Sequence, residues 1–445
     1  MRLLSLTLLS HLLVPSSLLT EDYGRYALLT FPVHVTGWLH DSLATAALLN
    51  AVGLGPALAA AAPGAAPALT AAAKWILKDG LGAAGRLVVA GRVAGVLDAS
   101  PRQWRLYGSM ASLLGGALEI ATTFAPPQAF LPLAAGGTAL KACGKAVAAP
   151  SHAALMAHFA TYPSSGGSAD AGPRNLGALT AKEEVQEVAA QLTGLAVSVA
   201  VLTWLGRATS DSPTLVAACW AAAASSHFLL RCAALQGIRF KSLNARRAMT
   251  AAIAHAIQRT EAPATEWASI KALNANEPLL TPDWALPTHL HLGCGLGAAV
   301  SGAAEAHART SSTGAAADVD AFLTWSCTPG GPLADSPFLV TWHGREAWVV
   351  FTQAATPADA LRAVWLATCL TAGAEASTAS SCLTAQGREH LSACVADMGS
   401  RYPSFRDALE DQGWDTGPLL PSPSVAPRLV HVSPGSVNAA AAQDG

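Results

Sequence analysis

The stretch KDGLGAAGRLVVAGR (residues 78–92) can be interpreted in two incompatible ways. Gly80, Gly82 and Gly85 spell G-x-G-x-x-G, and Asp98 follows at about the distance where a dinucleotide-binding fold places its ribose-binding acid. That fingerprint requires a hydrophobic strand directly before the glycines and a helix that opens from them. The preceding segment, LTAAAKWILKD, is alanine-rich and charged at its end, which is typical of a helix that stops at Gly80. We therefore predict a close contact between helices here, and not a nucleotide site.

The composition of the whole chain favours a membrane protein. Of its 445 residues, 51% are hydrophobic and 13% are charged, and the mean hydropathy is +0.35. An ordinary soluble domain carries about 25% charged residues. Such a chain either exposes much of its surface to lipid or is a soluble, alanine-rich helical bundle, and we favour the first interpretation.

Charge is distributed unevenly along the chain. Residues 1–260 contain 19 basic and 11 acidic side chains, whereas residues 261–445 contain 8 basic and 18 acidic ones. This asymmetry predicts two parts in different surroundings. The basic part lacks clusters of lysine and arginine interleaved with aromatic residues, so nucleic acid is not an expected partner.

The expected fold is mainly α, with an apolar, membrane-embedded N-terminal helical bundle followed by a small α/β domain. We predict the bundle over residues 1–260, an irregular linker over 261–319, the α/β domain over 320–417 and a disordered tail over 418–445. In the α/β domain, residues 338–341 and 347–351 predict two strands around a turn, and residues 322–327 predict a third. Helices are expected to start at Thr356 and at Ser404, and residues 303–318 are expected to form a loop.

Two uncharged runs predict a helical hairpin. Thr180 and Glu183 have the spacing of a capping box, and residues 188–205 and 213–230 then contain no charged residue. Each run approaches the roughly 20 residues that a membrane-spanning helix needs. A buried hairpin in a soluble bundle is the alternative.

Charged residues surround the glycine-rich stretch. Lys78, Asp79, Arg86, Asp98 and Arg105 lie within or shortly after it, and charges in an apolar region must pair with one another or face water. They are either interfacial ion pairs that position helices or an anion-binding pocket. Gly91 and Gly95 form G-x-x-x-G, a spacing that lets helices approach closely in lipid, although alanine- and glycine-rich soluble bundles contain it too.

Several stretches, in order along the chain, resemble segments of the Root UVB Sensitive family. They are VPSSLLTEDYGRY (residues 14–26), HDSLATAALLNAVGLG (40–55), WILKDGLGAAGRLV (75–88), LDASPRQWRL (97–106), SHAALMAHFA (151–160) and NLGALTAKEEVQEVAAQLTGL (175–195). A weaker similarity continues through residues 338–370 and PSFRDALEDQGWDT (403–416). The resemblance places residues 1–20 in the domain, so that a targeting peptide would precede this sequence.

The resemblance implies a membrane-associated protein without an established reaction, linked to UV-B responses and to vitamin B6 (pyridoxal phosphate) homeostasis. It implies a plastid (chloroplast) location, with the mitochondrial or endoplasmic reticulum membrane as alternatives, and homo- or hetero-oligomers with other family members. Together with the charged cluster it suggests a site for a phosphorylated ligand such as pyridoxal phosphate. The candidate ligand-binding residues are Lys78, Asp79, Arg86, Asp98, Arg105, His158, Lys182 and Gln186, and the candidate structural glycines are Gly80, Gly82, Gly85, Gly91 and Gly95.

The chain also departs from the family pattern. Glu184, Val185 and Val188 stand where the family shows glycine, serine and threonine, and Pro150-Ser151-His152 replaces a Gly-Ala-Thr-Arg segment. Ser109-Met110 stands where an acidic stretch is expected. If the replaced groups bind a ligand in the family, this member binds it differently or not at all.

Three other function classes remain open on the sequence. A small-molecule carrier is suggested by the apolar helices and by Glu119 among them, although the two halves show no repeat. An enzyme is suggested only by scattered histidines, of which His289 and His291 share a face if they lie on a strand. No catalytic motif accompanies them, and we expect no catalytic residue and no metal site. A scaffold is suggested by the acidic C-terminal part.

Overall fold

The computed structural model describes residues 20–52, 100–160, 176–209, 212–257, 267–281, 289–308, 315–372, 381–420 and 428–429, and the single positions Ile76, Gly80 and Leu97. The chain divides into two compact units, residues 1–238 and residues 239–445. The boundary therefore falls about twenty residues before the predicted position at 260. The reason is that residues 242–257 pack into the core of the second unit.

The first unit is a helical bundle. Its described helices are α1 (Tyr23–Val52), α2 (Pro101–Ala121), α3 (Phe130–Phe159), α4 (Leu176–Thr209) and α5 (Pro213–Gln236). Helix α1 packs against both α4 and α5, which contact each other far less. The two predicted helices are thus confirmed, but they do not form a simple hairpin, because α1 lies between them.

Contacts along α1 fix the directions of its neighbours. Gly194 of α4 approaches Val35 and Trp38 of α1. The earlier residue Gln186 of α4 contacts the earlier residue Ala27 of α1, so the two helices run parallel. In α5, His227 contacts Val33, whereas the earlier residue Val216 packs near Ala44. Helix α5 therefore runs antiparallel to α1.

The pairing of α2 with α3 depends on glycines. A Cβ added at Gly108 would lie 2.8 Å from the Gly144 carbonyl oxygen, and one added at Gly115 would lie 2.5 Å from the Gly137 carbonyl oxygen. Both pairs are spaced seven residues apart in each helix, so the two antiparallel backbones touch at two successive points. The sequence predicted that glycines allow helices to approach closely. The α2–α3 pair shows such contacts, but at glycines other than the predicted ones.

The structure differs from prediction near Gly80. Ile76 and Gly80 are both helical, whereas the prediction placed Gly80 beyond the end of the helix, and a Cβ at Gly80 would meet no described atom within 4 Å. The capping box at Thr180 is also wrong, because α4 already begins at Leu176 and Thr180 Oγ1 donates a hydrogen bond to the Leu176 carbonyl at 2.8 Å. Gly82, Gly85, Gly91 and Gly95 lie outside the described residues.

The second unit is an α/β domain. Its elements in chain order are β1 (Ser242–Asn244), α6 (Ala245–Ile257), α7 (Ile270–Asn276), β2 (His289–Leu292), α8 (Leu296–Ala308), α9 (Ala315–Cys327), β3 (Phe338–His343), β4 (Glu346–Thr352), α10 (Pro357–Thr371), α11 (Ala385–Asp411), β5 (Asp415–Leu420) and β6 (Arg428–Leu429). Strand β4 pairs with β3 in an antiparallel hairpin and with β2 in parallel, and β6 pairs with the end of β4. Strands β1 and β5 form a separate parallel pair.

The core of this unit is dense and aromatic. Trp342 of β3 and Trp365 of α10 are fully buried, and α10 packs between the sheet and helices α6 and α11. The predicted β3–β4 hairpin is confirmed, with Gly344 in its turn at a φ of +57°, and so is the helix after Thr356. At the cap of α10, the Asp359 carboxylate accepts hydrogen bonds from the Thr356 amide and hydroxyl.

Several predictions for the second unit are wrong. Residues 322–327 belong to helix α9 and not to a strand, and α8 occupies much of the predicted linker and loop. Helix α11 passes through Pro403 and begins at Ala385, long before Ser404. Strands β5 and β6 extend into the region predicted as a disordered tail. For α8, α9, α11 and β5, a weak local signal is overridden because the segment buries apolar side chains in the common core.

Candidate functional site

Titratable side chains are buried inside the N-terminal bundle in two groups. The first, which we call the Lys141 cluster, consists of Asp41 of α1, Glu119 of α2 and Lys141 of α3. Lys141 Nζ lies 2.8 Å from Asp41 Oδ1 and 2.6 Å from Glu119 Oε2, and Thr138 Oγ1 donates to Glu119 at 3.4 Å. Burial alone would lower the pKa of Lys141, but the two carboxylates outweigh it and hold that pKa above its usual value. One ammonium therefore joins three helices.

The second group lies at the other end of α1. We call it the polar layer, and it consists of Tyr26 and Thr30 of α1, Arg105 of α2, His152 of α3, Glu183 of α4 and Arg231 of α5. The helix directions explain why these residues meet. The beginnings of α1, α2 and α4 and the ends of the antiparallel α3 and α5 all lie at one end of the bundle.

Many polar atoms of this layer have no hydrogen-bond partner among the described residues. Arg231 is only 5% exposed, yet its Nε and Nη1 are unpaired. The same holds for Arg105 Nε, the Tyr26 hydroxyl, the Thr30 hydroxyl, Glu183 Oε2 and His152 Nδ1. Tyr26 and Thr30 are neighbours, but their geometry falls short of a hydrogen bond. Since buried polar groups are almost always paired, so many unpaired ones in one place call for an explanation.

Other contacts of the layer are better satisfied. Arg105 Nη1 donates to the Ala148 carbonyl at 2.8 Å, and His152 Nε2 approaches Glu183 Oε2 at 3.3 Å. Nearby, Glu187 Oε1 lies 3.9 Å from Nδ1 of His34.

The pKa values of Tyr26 and His34 on α1 are shifted by burial and by the charged side chains of the polar layer. The pKa of the Tyr26 hydroxyl is raised, first by burial and then by the Glu183 carboxylate, while Arg105 and Arg231 act in the opposite direction. The pKa of His34 falls to about 3, first through burial and then through Arg231 and Arg105. His34 is therefore neutral at physiological pH, and both guanidinium groups act on the same small region.

Four of the predicted ligand-binding residues are described, and all four lie at this end of the bundle. Arg105 belongs to the polar layer, and half-buried Lys182 precedes Glu183 on α4. His158 Nε2 lies 3.2 Å from Asp22 Oδ2, which ties the end of α3 to the start of α1. Gln186 Nε2 donates to the Ala27 carbonyl at 2.6 Å and so joins α4 to α1. The structure thus brings the four together, with His158 and Gln186 engaged between helices.

The other predicted ligand-binding residues, Lys78, Asp79, Arg86 and Asp98, lie outside the described residues. Sequence reasoning also missed Arg231, Glu183, Tyr26 and Thr30. A signal for Arg231 was present, because it is the first charge after the long uncharged run of α5. Its relation to Arg105, however, depends on how distant helices pack.

The described histidines of the second unit include the pair His289 and His291. His289 and His291 lie on strand β2, as one condition of the metal hypothesis required, but His291 stacks on Trp348 with ring centroids 5.5 Å apart. Across the part of the chain that the structure describes, no group of three or more histidine, cysteine, aspartate or glutamate side chains is placed to hold a metal ion.

Comparison with known proteins locates the family region. The family model described as the vitamin B6 photo-protection and homoeostasis domain matches residues 5–259, which is more than half of the chain. This region contains the whole described bundle and continues through β1 and α6 of the second unit. Both buried groups of titratable residues therefore lie within it.

Curated relatives give the same assignment. The chain is 37% identical over 238 residues to protein root UVB sensitive 5 of Arabidopsis thaliana, which covers 54% of this chain and 44% of that protein. It is 28% identical over 229 residues to RUS family member 1 of Dictyostelium discoideum, covering 52% and 40% of the two chains.

A third relative carries an organelle in its name. The chain is 29% identical over 140 residues to root UVB sensitive 2, chloroplastic, of Arabidopsis thaliana, covering 32% and 30% of the two chains. The matched region spans less than half the length of each of these relatives. No solved structure matches the chain significantly. From the extent of the domain match and the agreement of these relatives, the chain belongs to the Root UVB Sensitive family, whose shared region is the vitamin B6 photo-protection and homoeostasis domain.

Proposed function

We propose that this protein is a non-enzymatic, membrane-associated component of vitamin B6 homeostasis and of the response to UV-B and light stress, and that it binds a phosphorylated small molecule. The domain match supports the link to vitamin B6, and the relatives' names support the link to UV-B. The observation that carries the ligand proposal is the set of unpaired cationic and polar groups in the polar layer.

Membrane association is supported by the exposed side of α4. Among the described residues, two helices are long and apolar enough to cross a membrane, residues 176–206 and 213–236. A core helix of a soluble protein with this composition would be buried. Here Leu192, Val199 and Trp204 are exposed by 64%, 65% and 56%, so apolar surface faces outward. We assign this surface to lipid.

The location and partners follow from the family. A plastid membrane is the proposed location, with the mitochondrial or endoplasmic reticulum membrane as alternatives, because one relative is named chloroplastic. Assembly with further copies or with other family members is proposed as well, and the second unit is then the candidate scaffold. Pull-down with and without residues 320–420 tests that role.

Two measurements on the full chain test the main proposal. Alkaline carbonate extraction of expressing membranes should leave the protein in the pellet, and its release into the supernatant would contradict membrane integration. Purified protein in detergent should bind pyridoxal phosphate in a titration, with a visible absorbance band if a lysine forms a Schiff base. The absence of saturable binding would remove pyridoxal phosphate as the ligand.

Transport of vitamin B6 compounds is the second candidate function. The Lys141 cluster favours it, because buried ionisable residues within apolar helices commonly mark the paths of ions or substrates. Glu119 and Lys141 are deeply placed, with side chains only 4% and 15% exposed. Uptake of labelled pyridoxine or pyridoxal phosphate into liposomes that contain the protein tests this candidate, and a rate equal to that of empty vesicles would end it.

A further inference from the structure

We infer that the polar layer recognises a zwitterion: Arg105 and Arg231 bind a phosphate monoester, and Glu183 with His152 accepts a hydrogen bond from a protonated nitrogen of the same ligand. This inference rests on the proposed function for the ligand's phosphate, and it adds the second charge and the residues that bind each part. Tyr26 and Thr30 lie between the two poles and supply hydroxyl groups to the ligand.

The cationic pole follows from the unpaired nitrogens. Arg231 is 5% exposed, and its Nε and Nη1 have no partner among the described residues. Arg105 lies at the same end of the bundle, because Arg102 at the start of α2 donates to the Ile238 carbonyl just after α5 at 2.9 Å. Two guanidinium groups in a poorly solvated place repel each other unless an anion joins them. The planar fork of arginine matches the oxygens of a phosphate, and unpaired Nε and Nη groups are the atoms that such a bidentate contact uses.

The anionic pole follows from unpaired acceptors. Glu183 is buried, and its Oε2 accepts no hydrogen bond from any described residue, although His152 Nε2 lies 3.3 Å away. His152 Nδ1 is also unpaired. An anion alone would be repelled by the Glu183 carboxylate, and a cation alone would be repelled by the two arginines. A ligand with both charges satisfies both poles.

Tyr26 is fully buried beside Ala27, whose carbonyl accepts the hydrogen bond from Gln186 of α4, and its hydroxyl has no hydrogen-bond partner among the described residues. The layer also reaches the surface of the bundle. Arg105 is half-buried, and the His152 side chain is 28% exposed. We therefore expect the ligand to enter where Arg105 and His152 reach the surface.

The experiment compares four probes on the purified full chain in detergent, by titration calorimetry at pH 7.5. Pyridoxamine 5′-phosphate carries both charges and, unlike pyridoxal phosphate, cannot form a Schiff base with a lysine. Pyridoxamine lacks the phosphate, phenyl phosphate lacks the nitrogen, and inorganic phosphate lacks the ring. We expect pyridoxamine 5′-phosphate to bind at least tenfold more tightly than each of the other three.

Variants then identify the residues. Arg231→Gln should weaken binding of pyridoxamine 5′-phosphate by about tenfold to a hundredfold, and Arg231→Lys should restore it only partly, because lysine lacks the fork. Arg25→Gln is the matched control: Arg25 is an exposed arginine against Gly237 at the same end of the bundle, and its loss should leave affinity unchanged.

Tyr26→Phe and Thr30→Val provide a second binding test that does not depend on the folding of the arginine variants. Neither hydroxyl has a hydrogen-bond partner in the part of the chain that the structure describes, so removing it should leave the melting temperature unchanged or slightly higher. Each variant should nevertheless weaken binding several-fold. Equal affinity of both variants and wild type would overturn the placement of the ligand in this layer.

The remaining outcomes separate this inference from the proposed function. If pyridoxamine 5′-phosphate binds wild type and Arg231→Gln equally, the inference is wrong while the proposed function stands. If phenyl phosphate binds as tightly as pyridoxamine 5′-phosphate, the protonated nitrogen is not recognised and the inference is wrong. If neither pyridoxal phosphate nor pyridoxamine 5′-phosphate binds, the proposed ligand and the inference both fail.

Discussion

At the scale of single residues, a buried charge in this protein is stabilised by oppositely charged side chains of other helices. Lys141 pairs with carboxylates of two different helices. Its burial costs desolvation free energy, but the two ion pairs also join three helices. His255 shows the opposite solution in the second unit, where a titratable ring is held neutral among the aromatic side chains of Trp267, Trp365 and Phe405.

Replacing Lys141 should destabilise the bundle strongly. Lys141→Met leaves the buried Glu119 carboxylate without its cation, and breaking such a pair costs about 3 kcal/mol or more. Thermal unfolding in detergent, followed by circular dichroism, measures the loss. Lys145→Met on the same helix is the control, since Lys145 is exposed and should change stability by less than about 0.5 kcal/mol. Adding Glu119→Gln to Lys141→Met should recover part of the loss, and no recovery would argue against the ion pair as its cause.

Mild acid should destabilise the second unit through His255. Trp365 Nε1 donates to His255 Nδ1 at 3.4 Å, which requires an unprotonated Nδ1, and burial followed by Arg401 lowers the pKa of His255 to about 4. Because the folded pKa lies below the unfolded value, stability is full above about pH 6.5 and declines as the pH falls towards 4. We expect a loss of about 1 kcal/mol at pH 5, after allowance for partial exposure.

Denaturant unfolding monitored by tryptophan fluorescence at pH 7.5 and pH 5 measures this effect. His255→Asn keeps a hydrogen-bond acceptor but does not titrate, so it should lose most of the pH dependence. The same decline in the variant as in wild type would assign the effect to other groups.

At the scale of elements, small residues bring the helices of the first unit into close contact, beside large buried side chains such as Tyr26, Phe159 and Leu43. The α2–α3 pair depends on two glycine contacts, and α4 reaches α1 through Gly194, where a Cβ would lie 2.7 Å from the Trp38 Cβ. Close approach of this kind increases van der Waals contact between backbones, which is the main source of helix association in lipid.

Adding a methyl group at the α2–α3 contact should therefore be costly. Gly115→Ala places a Cβ 2.5 Å from the Gly137 carbonyl oxygen, so the helices must separate, at about 1–3 kcal/mol. Gly399→Ala in α11 is the control, because no atom lies within 4 Å and alanine favours a helix by up to about 1 kcal/mol. We expect Gly115→Ala to lower the melting temperature and Gly399→Ala to leave it unchanged or raise it. A stabilised Gly115→Ala would show that the contact is looser than the structure indicates.

At the scale of the whole molecule, the two units differ in how far their large apolar side chains are buried. The second unit encloses large aromatic residues around its sheet, whereas the first unit exposes apolar side chains along α4. A single chain thus combines a dense α/β core with a bundle that exposes apolar side chains along α4.

A charge on the outer surface of α4 tests which solvent it faces. Val199 is 65% exposed, so Val199→Asp should be nearly neutral in water but should cost about 3 kcal/mol in a bilayer. We expect reduced membrane recovery of this variant after carbonate extraction. Ser400→Asp, at an exposed position of α11, should behave as wild type. Unchanged recovery of Val199→Asp would mean that this surface faces water.

The sequence by itself determined the helical character of the first part, the α4 and α5 segments, the β3–β4 hairpin and the family. These features depend on local signals, namely uncharged runs, alternation of apolar residues, turn glycines and ordered motifs. It did not determine the domain boundary, the helical state of residues 322–327 or the length of α11, where burial in a shared core outweighs local preference.

Only the tertiary structure decided which polar residues meet. Arg105 could be chosen as a candidate from its neighbours in sequence, but Arg231, Glu183 and Tyr26 join it only because parallel and antiparallel packing brings the ends of five helices together. The glycines that make close contacts could not be identified for the same reason. Whether a small residue touches another helix depends on the direction and rotation of both helices, and neither is encoded in a single segment.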